Sequence, residues 1–163
     1  MAVEISGARL REGIKYLGER FGGMDPGKLL AGVVDSNWYS MGRLFEVVKK
    51  CALSASTGEV YISRMLGYHL GFKDAQAMLQ NGSVAWKFQS SFEKEHKNAK
   101  VVSEETEDRY LHFHFKSDMG PRECVIPYLE GLLEAFLVWE GVKEPLVTGQ
   151  TFGDIISLVA IWR

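Results

Sequence analysis

Along the first hundred residues the apolar positions keep a helical period. Behind Ser6, residues Leu10, Ile14, Leu17 and Phe21 fall on one face and Arg9, Glu12, Lys15 and Glu19 on the other, until Gly22 and Gly23 end the run. Asp25 followed by Pro26 has the order of a cap and a first helical proline, which predicts a short second helix through Leu29, Leu30 and Val33 before "DSNWYS" breaks it. From Ser40 a third period runs through Met41, Leu44, Phe45, Val48 and Ala52, and "SASTGE" stops it near residue 54. A fourth helix is expected from about Glu59 through Met65, Leu66 and Leu70 to Gly71. The stretch "FKDAQAMLQNGSVAWKFQSSFEKEHK" predicts two more helical pieces divided at Asn81 and Gly82, with Trp86 and Phe92 facing inward and the charged "EKEHK" in solvent.

The period then changes to two. In "RYLHFHFK", Leu111, Phe113 and Phe115 share one side, and Tyr110, His112, His114 and Lys116 share the other, as in a half-buried strand paired with "AKVVSEE" across the polar turn "TED". Pro121 opens a long apolar helix, "PRECVIPYLEGLLEAFLVWEG", in which Pro127 should mark either a kink or the true start. Two last strands near 144–151 and 155–162 are joined across Gly153 and Asp154. The expected architecture is α+β: a helical N-terminal half packed on a small antiparallel sheet of about four strands, with the long helix between the two strand pairs.

Composition narrows the function more than the fold. A chain of 163 residues fits a single domain that buries roughly two thirds of its unfolded surface. A formal charge of −2 gives no electrostatic footprint for nucleic acid or an anionic membrane. Cys51 and Cys124 are the two cysteines, so there is no disulfide framework and no all-cysteine metal cage. With no signal-peptide core and no apolar run of about 18 residues, a cytoplasmic protein is expected.

Each candidate chemical group has a plainer reading beside it. His112 and His114 put two imidazoles on one strand face, which is how some metal sites begin; without further donors they are read as solvated side chains. His69, in "RMLGYHLGF", suits a haem ligand, a ligand-sensing hydrogen bond or a structural histidine, and the structural reading is preferred because one histidine says nothing about its partner. Cys124, at the head of the long helix, is read as buried and inert, and Cys51, beside Lys49 and Lys50, as the more exposed thiol. The chain shows no Ser-His-Asp order, P-loop, dinucleotide fingerprint or apolar carboxylate pair, which argues against an enzyme.

In sequence order, "ISGARLREGIKYLGERFG", "SNWYSMGRLFEVV", "LGYHLGF", "ECVIPYLEGLLEAF" and "GQTFGDIISLVAIW" resemble the bacterial stand-alone members of the 4-vinyl reductase-like domains. That superfamily also includes the haem–nitric-oxide-binding fold and a subunit family of vesicle-tethering complexes, and the resemblance covers nearly the whole chain. "YISR" at 61–64 is one residue short of the Tyr-x-Ser-x-Arg element of the haem–nitric-oxide sensors and does not support haem. Zinc-binding members close with an acidic residue and Cys-x-x-x-Gly-x-x-x-Cys, after an earlier cysteine at the head of a helix. Cys124 matches that first ligand and Gly153 the middle glycine, whereas Leu146, Gly149 and Ser157 stand at the other three donor positions. Leucine and glycine side chains cannot coordinate zinc, so apolar packing of "IISLVAIW" is expected to tie the terminal hairpin down instead.

The resemblance implies a non-catalytic sensory or regulatory domain without zinc or haem, binding a small hydrophobic molecule and signalling as a homodimer or through a partner protein. Trp38, Trp86, Phe113, Tyr128 and Phe136 would shape the pocket, with His69 as its polar anchor. The alternatives are an assembly module like the tethering-complex subunits and a haem-based gas sensor.

Overall fold

The computed structural model describes residues 2–107, 109–116 and 118–163. The chain begins with β1 (Glu4–Ser6), α1 (Gly7–Phe21), α2 (Pro26–Leu29), β2 (Trp38–Ser40), α3 (Met41–Ala55), α4 (Glu59–Ala77) and α5 (Val84–Glu95). It continues through β3 (His96–Lys97), β4 (Val101–Glu107), β5 (Tyr110–Phe115), α6 (Arg122–Trp139), β6 (Leu146–Phe152) and β7 (Ile155–Ile161). The architecture is α+β, as the change of period predicts.

Local chemistry sets the helix ends. Ser6 is extended and its hydroxyl accepts the Arg9 N–H at 3.2 Å, while Gly22 closes α1 at φ +71°, a left-handed value that costs glycine little. Asp25 accepts the N–H groups of Gly27 and Lys28 to start α2, and Ser40 accepts that of Gly42 to start α3. Three boundaries differ from expectation: α2 ends at Leu29, short of the expected Leu30 and Val33. α4 does not stop at Gly71 but runs to Ala77, because Gly71 is a packing position: a Cβ there would lie 2.6 Å from the Leu132 carbonyl oxygen of α6. α6 starts at Arg122 and continues through Pro127, so that proline marks no boundary.

α4 and α6 form the central joint. A Cβ added at Gly67 would fall on the Tyr128 carbonyl oxygen, and one at Gly131 on that of Arg64, so the two backbones meet with nothing but glycine between them. Arg64 lines the edge of the joint, its guanidinium 3.4 Å from Glu130 and 2.7 Å from Glu134.

Among the described residues the strands form two antiparallel sheets where one was expected. One has the order β4-β5-β7-β6 and contains both predicted hairpins; Asp108, in the expected "TED" turn, lies outside the described residues. The other, β2-β1-β3, is built from pieces of two or three residues, too short to show a period. Leu111, Phe113 and Phe115 of β5 are buried, as are Ile156, Leu158 and Ala160 of β7. The terminal hairpin is thus held by apolar burial of its last strand, to which the Gly149 N–H adds a hydrogen bond to Glu130 of α6 at 3.1 Å.

Candidate functional site

The interior between α5, α6 and the larger sheet is filled with rings. Phe88 packs at 4.9 Å from Phe113 and 5.5 Å from Phe136; Phe92 packs at 5.2 Å from Phe115 and stacks on His96 at 4.0 Å. His96 is 3% exposed, and both of its nitrogens are engaged: Nδ1 with the Phe92 carbonyl at 2.9 Å and Nε2 with the Tyr128 hydroxyl at 3.0 Å. Burial holds the imidazole at a pKa of about 4 and pushes the Tyr128 phenol far up, so both are neutral near pH 7.

The six residues expected to line one pocket do not meet around a common space. Phe113, Tyr128 and Phe136 are core residues in contact with other rings. Trp38 is half-buried on β2, and Trp86 is 45% exposed, lying against Gly82 rather than facing inward. His69 lies on the outer side of α4.

There His69 belongs to an open groove of about 420 Å³ between α1 and α4, lined by Tyr16, Met65, Tyr68, Phe72, Lys73 and Gln76. The imidazole stacks on Tyr16 at 4.1 Å, and its Nε2 is 3.1 Å from Glu12, which Lys73 also reaches at 2.9 Å. The groove follows from the composition of α4, whose apolar residues surround the helix: Leu66 and Leu70 are buried, and Met65, Tyr68 and Phe72 remain half-exposed. An all-round apolar helix ordinarily belongs inside a protein, so this outer face is available for a further contact.

A second hollow, of about 310 Å³, opens between α1, the end of α4 and α5. Asp74, 5% exposed, lies on its floor against the Arg9 guanidinium; Glu95 stands 3.8 Å from Arg9 and accepts the Ser6 hydroxyl at 2.6 Å. Burial, offset in part by Arg9, raises the Asp74 carboxyl to about 7. Neither this cluster nor His96 carries a sequence signal: Asp74 sits in a helix whose apolar residues mark no single inner face, and "EKEHK" looks solvated although its histidine is buried.

The residues at the zinc-type positions are dispersed. Cys124 is buried toward α4, with Sγ 3.8 Å from Glu59, whereas Gly149 packs on Ile126 and Glu130 on the opposite side of α6. Leu146 is exposed at the start of β6, and the Ser157 hydroxyl lies 2.5 Å from Nε2 of His112. The His112 and His114 rings are 4.1 Å apart and partly buried, and among the described residues no group of three or more His, Cys, Asp or Glu side chains is placed to hold a metal ion. Cys51, expected to be the exposed thiol, is fully buried beside the Gly22 carbonyl because it falls on the inner face of α3, and burial raises its pKa.

Neither a family model nor a curated protein matches the sequence. Solved structures do match it along its length. The chain is similar to an unliganded Fe(II) H-NOX protein from K. algicida carrying the A71G mutation, at 9% identity and a TM-score of 0.73 over 98% of this chain and 97% of that one. It is similar to an H-NOX protein from S. oneidensis in the Fe(II)NO ligation state, at 13% identity and a TM-score of 0.73 over 98% and 99% of the two chains. The I5F mutant of the T. Tengcongensis H-NOX gives 9% identity and a TM-score of 0.71 over 98% of each. At such identities the likeness concerns the fold, and the fold of this chain is H-NOX-like.

Proposed function

We propose that the chain is a sensory or regulatory domain that works without haem, takes a small aromatic molecule in the groove between α1 and α4, and passes its state on through a second copy or a partner protein. The observation that carries this reading is the groove: Tyr16, Tyr68 and Phe72 supply ring faces, and His69, oriented by Glu12, supplies one polar anchor. Titration with 2-naphthol, followed by thermal unfolding and tyrosine fluorescence, should give saturable binding. The Tyr68→Ser/Phe72→Ala double variant should bind at least tenfold more weakly, a ratio worth about 1.4 kcal/mol. Absence of saturation, or equal binding by that variant, rejects the groove.

The likeness to H-NOX proteins favours a second reading, a haem-based gas sensor. The core residues do not fit that group. His96, buried among the core rings, has both nitrogens hydrogen-bonded and one ring face covered by Phe92, while Phe88 packs against both Phe113 and Phe136 alongside. Arg64, from the shortened motif, is held by Glu130 and Glu134. Incubation of the purified protein with ferrous haem is therefore expected to leave the spectrum that of free haem. A Soret band that shifts with nitric oxide and disappears in His96→Ala would establish the gas-sensor reading instead.

A further inference from the structure

We infer that the hollow between α1, the C-terminal end of α4 and α5 is a second, polar site, built for a small zwitterion of the amino-acid type with an apolar side chain. Its lining holds two cations, Arg9 and Lys94, and two acidic groups, Asp74 and Glu95. With the Asp74 carboxyl raised to about 7, the site near pH 7 lies between neutral and weakly cationic and presents groups of both signs within one hollow. A molecule carrying both signs a few bonds apart finds a partner for each.

The buried groups are arranged for such a molecule. Arg9 Nη2 is taken by Asp74, but its Nε is buried and finds no acceptor within hydrogen-bonding distance among the described residues; Glu95, at 3.8 Å, is too far. A buried guanidinium N–H left in this way is costly, and a ligand carboxylate is the charge-assisted acceptor that suits it. Ser90, Ser91 and Lys94, along one side of α5, offer further donors to the same carboxylate. On the acidic side, Glu95 is only partly buried and the Asp74 carboxyl forms the floor, so an ammonium group lodged there meets the Glu95 carboxylate with Asp74 beneath it.

The rim supplies the rest. Met78 is half-buried, and Leu79 projects 90% exposed from the turn after α4. An apolar ligand side chain would cover both. The site thus combines a charged floor with an apolar lip, the mixture expected of a small-molecule site rather than of a solvated surface.

Isothermal titration with L-leucine and L-phenylalanine tests the inference, with leucinamide, which keeps only the cation, and 4-methylpentanoate, which keeps only the anion, as controls. Saturable binding of at least one amino acid is expected, with both single-charge analogues at least tenfold weaker. Lys94→Glu and Leu79→Ser, both at exposed positions, should each weaken binding several-fold without lowering thermal stability. Arg9→Gln should abolish it, and circular dichroism would show whether that variant folds. No saturation by either amino acid, equal binding of leucinamide, indifference to both rim variants, or loss of binding in the Tyr68→Ser/Phe72→Ala protein would each overturn the assignment.

Discussion

Gly67→Ala should cost the domain about 3 kcal/mol or more in urea unfolding, beyond the usual range for adding one methyl group to a core. The reason is geometric. Overpacking is commonly relieved by a side chain changing rotamer, but here the added methyl would meet the carbonyl oxygen of Tyr128, part of a helix backbone that cannot rotate away. α4 and α6 would have to separate along their length, opening contacts at Gly71 and Gly131 as well. Gly58→Ala, which meets no atom within 4 Å and sits at an ordinary φ of −66°, is the control and should cost less than about 1 kcal/mol. Similar losses in the two variants would show that the helices do not meet through glycine.

The second large effect is a pair of opposed pH dependences. His96 titrates near 6.5 when unfolded and near 4 when folded. Between those values the unfolded chain holds more protons, so His96 makes stability rise with pH across that window, by about 3 kcal/mol in all. Asp74 does the reverse. Its carboxyl titrates near 3.8 unfolded and near 7 folded, so the folded chain holds the extra proton and stability falls by about 4 kcal/mol as pH rises through that window. The two contributions largely cancel between pH 4 and 6.5. Urea unfolding at pH 4, 5, 6 and 7 should therefore show Asp74→Asn gaining stability on the parent chain as pH rises and His96→Gln losing it. Curves that stay parallel for all three proteins would mean that neither group is perturbed as described.

How much of this was legible in the sequence depends on the length over which each signal repeats. α1, α3, α5 and α6, and the β4–β5 and β6–β7 hairpins, each repeat a period several times, and their positions follow from it. β1, β2 and β3 are too short to repeat anything, and the three-stranded sheet exists because α1, α3 and α5 bring those segments together. A similar limit hid the sites. Alternation puts Phe113 inside, but it cannot say whether a ring lines a space or fills it; that is decided by Phe88 and Phe136 from two other elements. His96 looked solvated because its four neighbours in "EKEHK" are charged, while its partners are Phe92, one turn back, and Tyr128, in the far part of the chain. Gly71 read as a helix stop because composition alone does not distinguish a glycine that ends a helix from one that admits a neighbour.

The glycine contact between α4 and α6 also governs the order in which the molecule can assemble. α6 is synthesised only after α5 and the β4–β5 hairpin, so a nascent chain that has not reached Arg122 presents α4 with its most intimate partner missing. Helices in proteins draw most of their stability from tertiary packing, and closing the long loop between α4 and α6 carries an entropic cost. The first hundred residues, although mostly helical, are therefore not a self-sufficient folding unit. A ribosome-stalled fragment ending before α6 should remain open to proteases, and one stalled late enough for α6 to emerge should be protected.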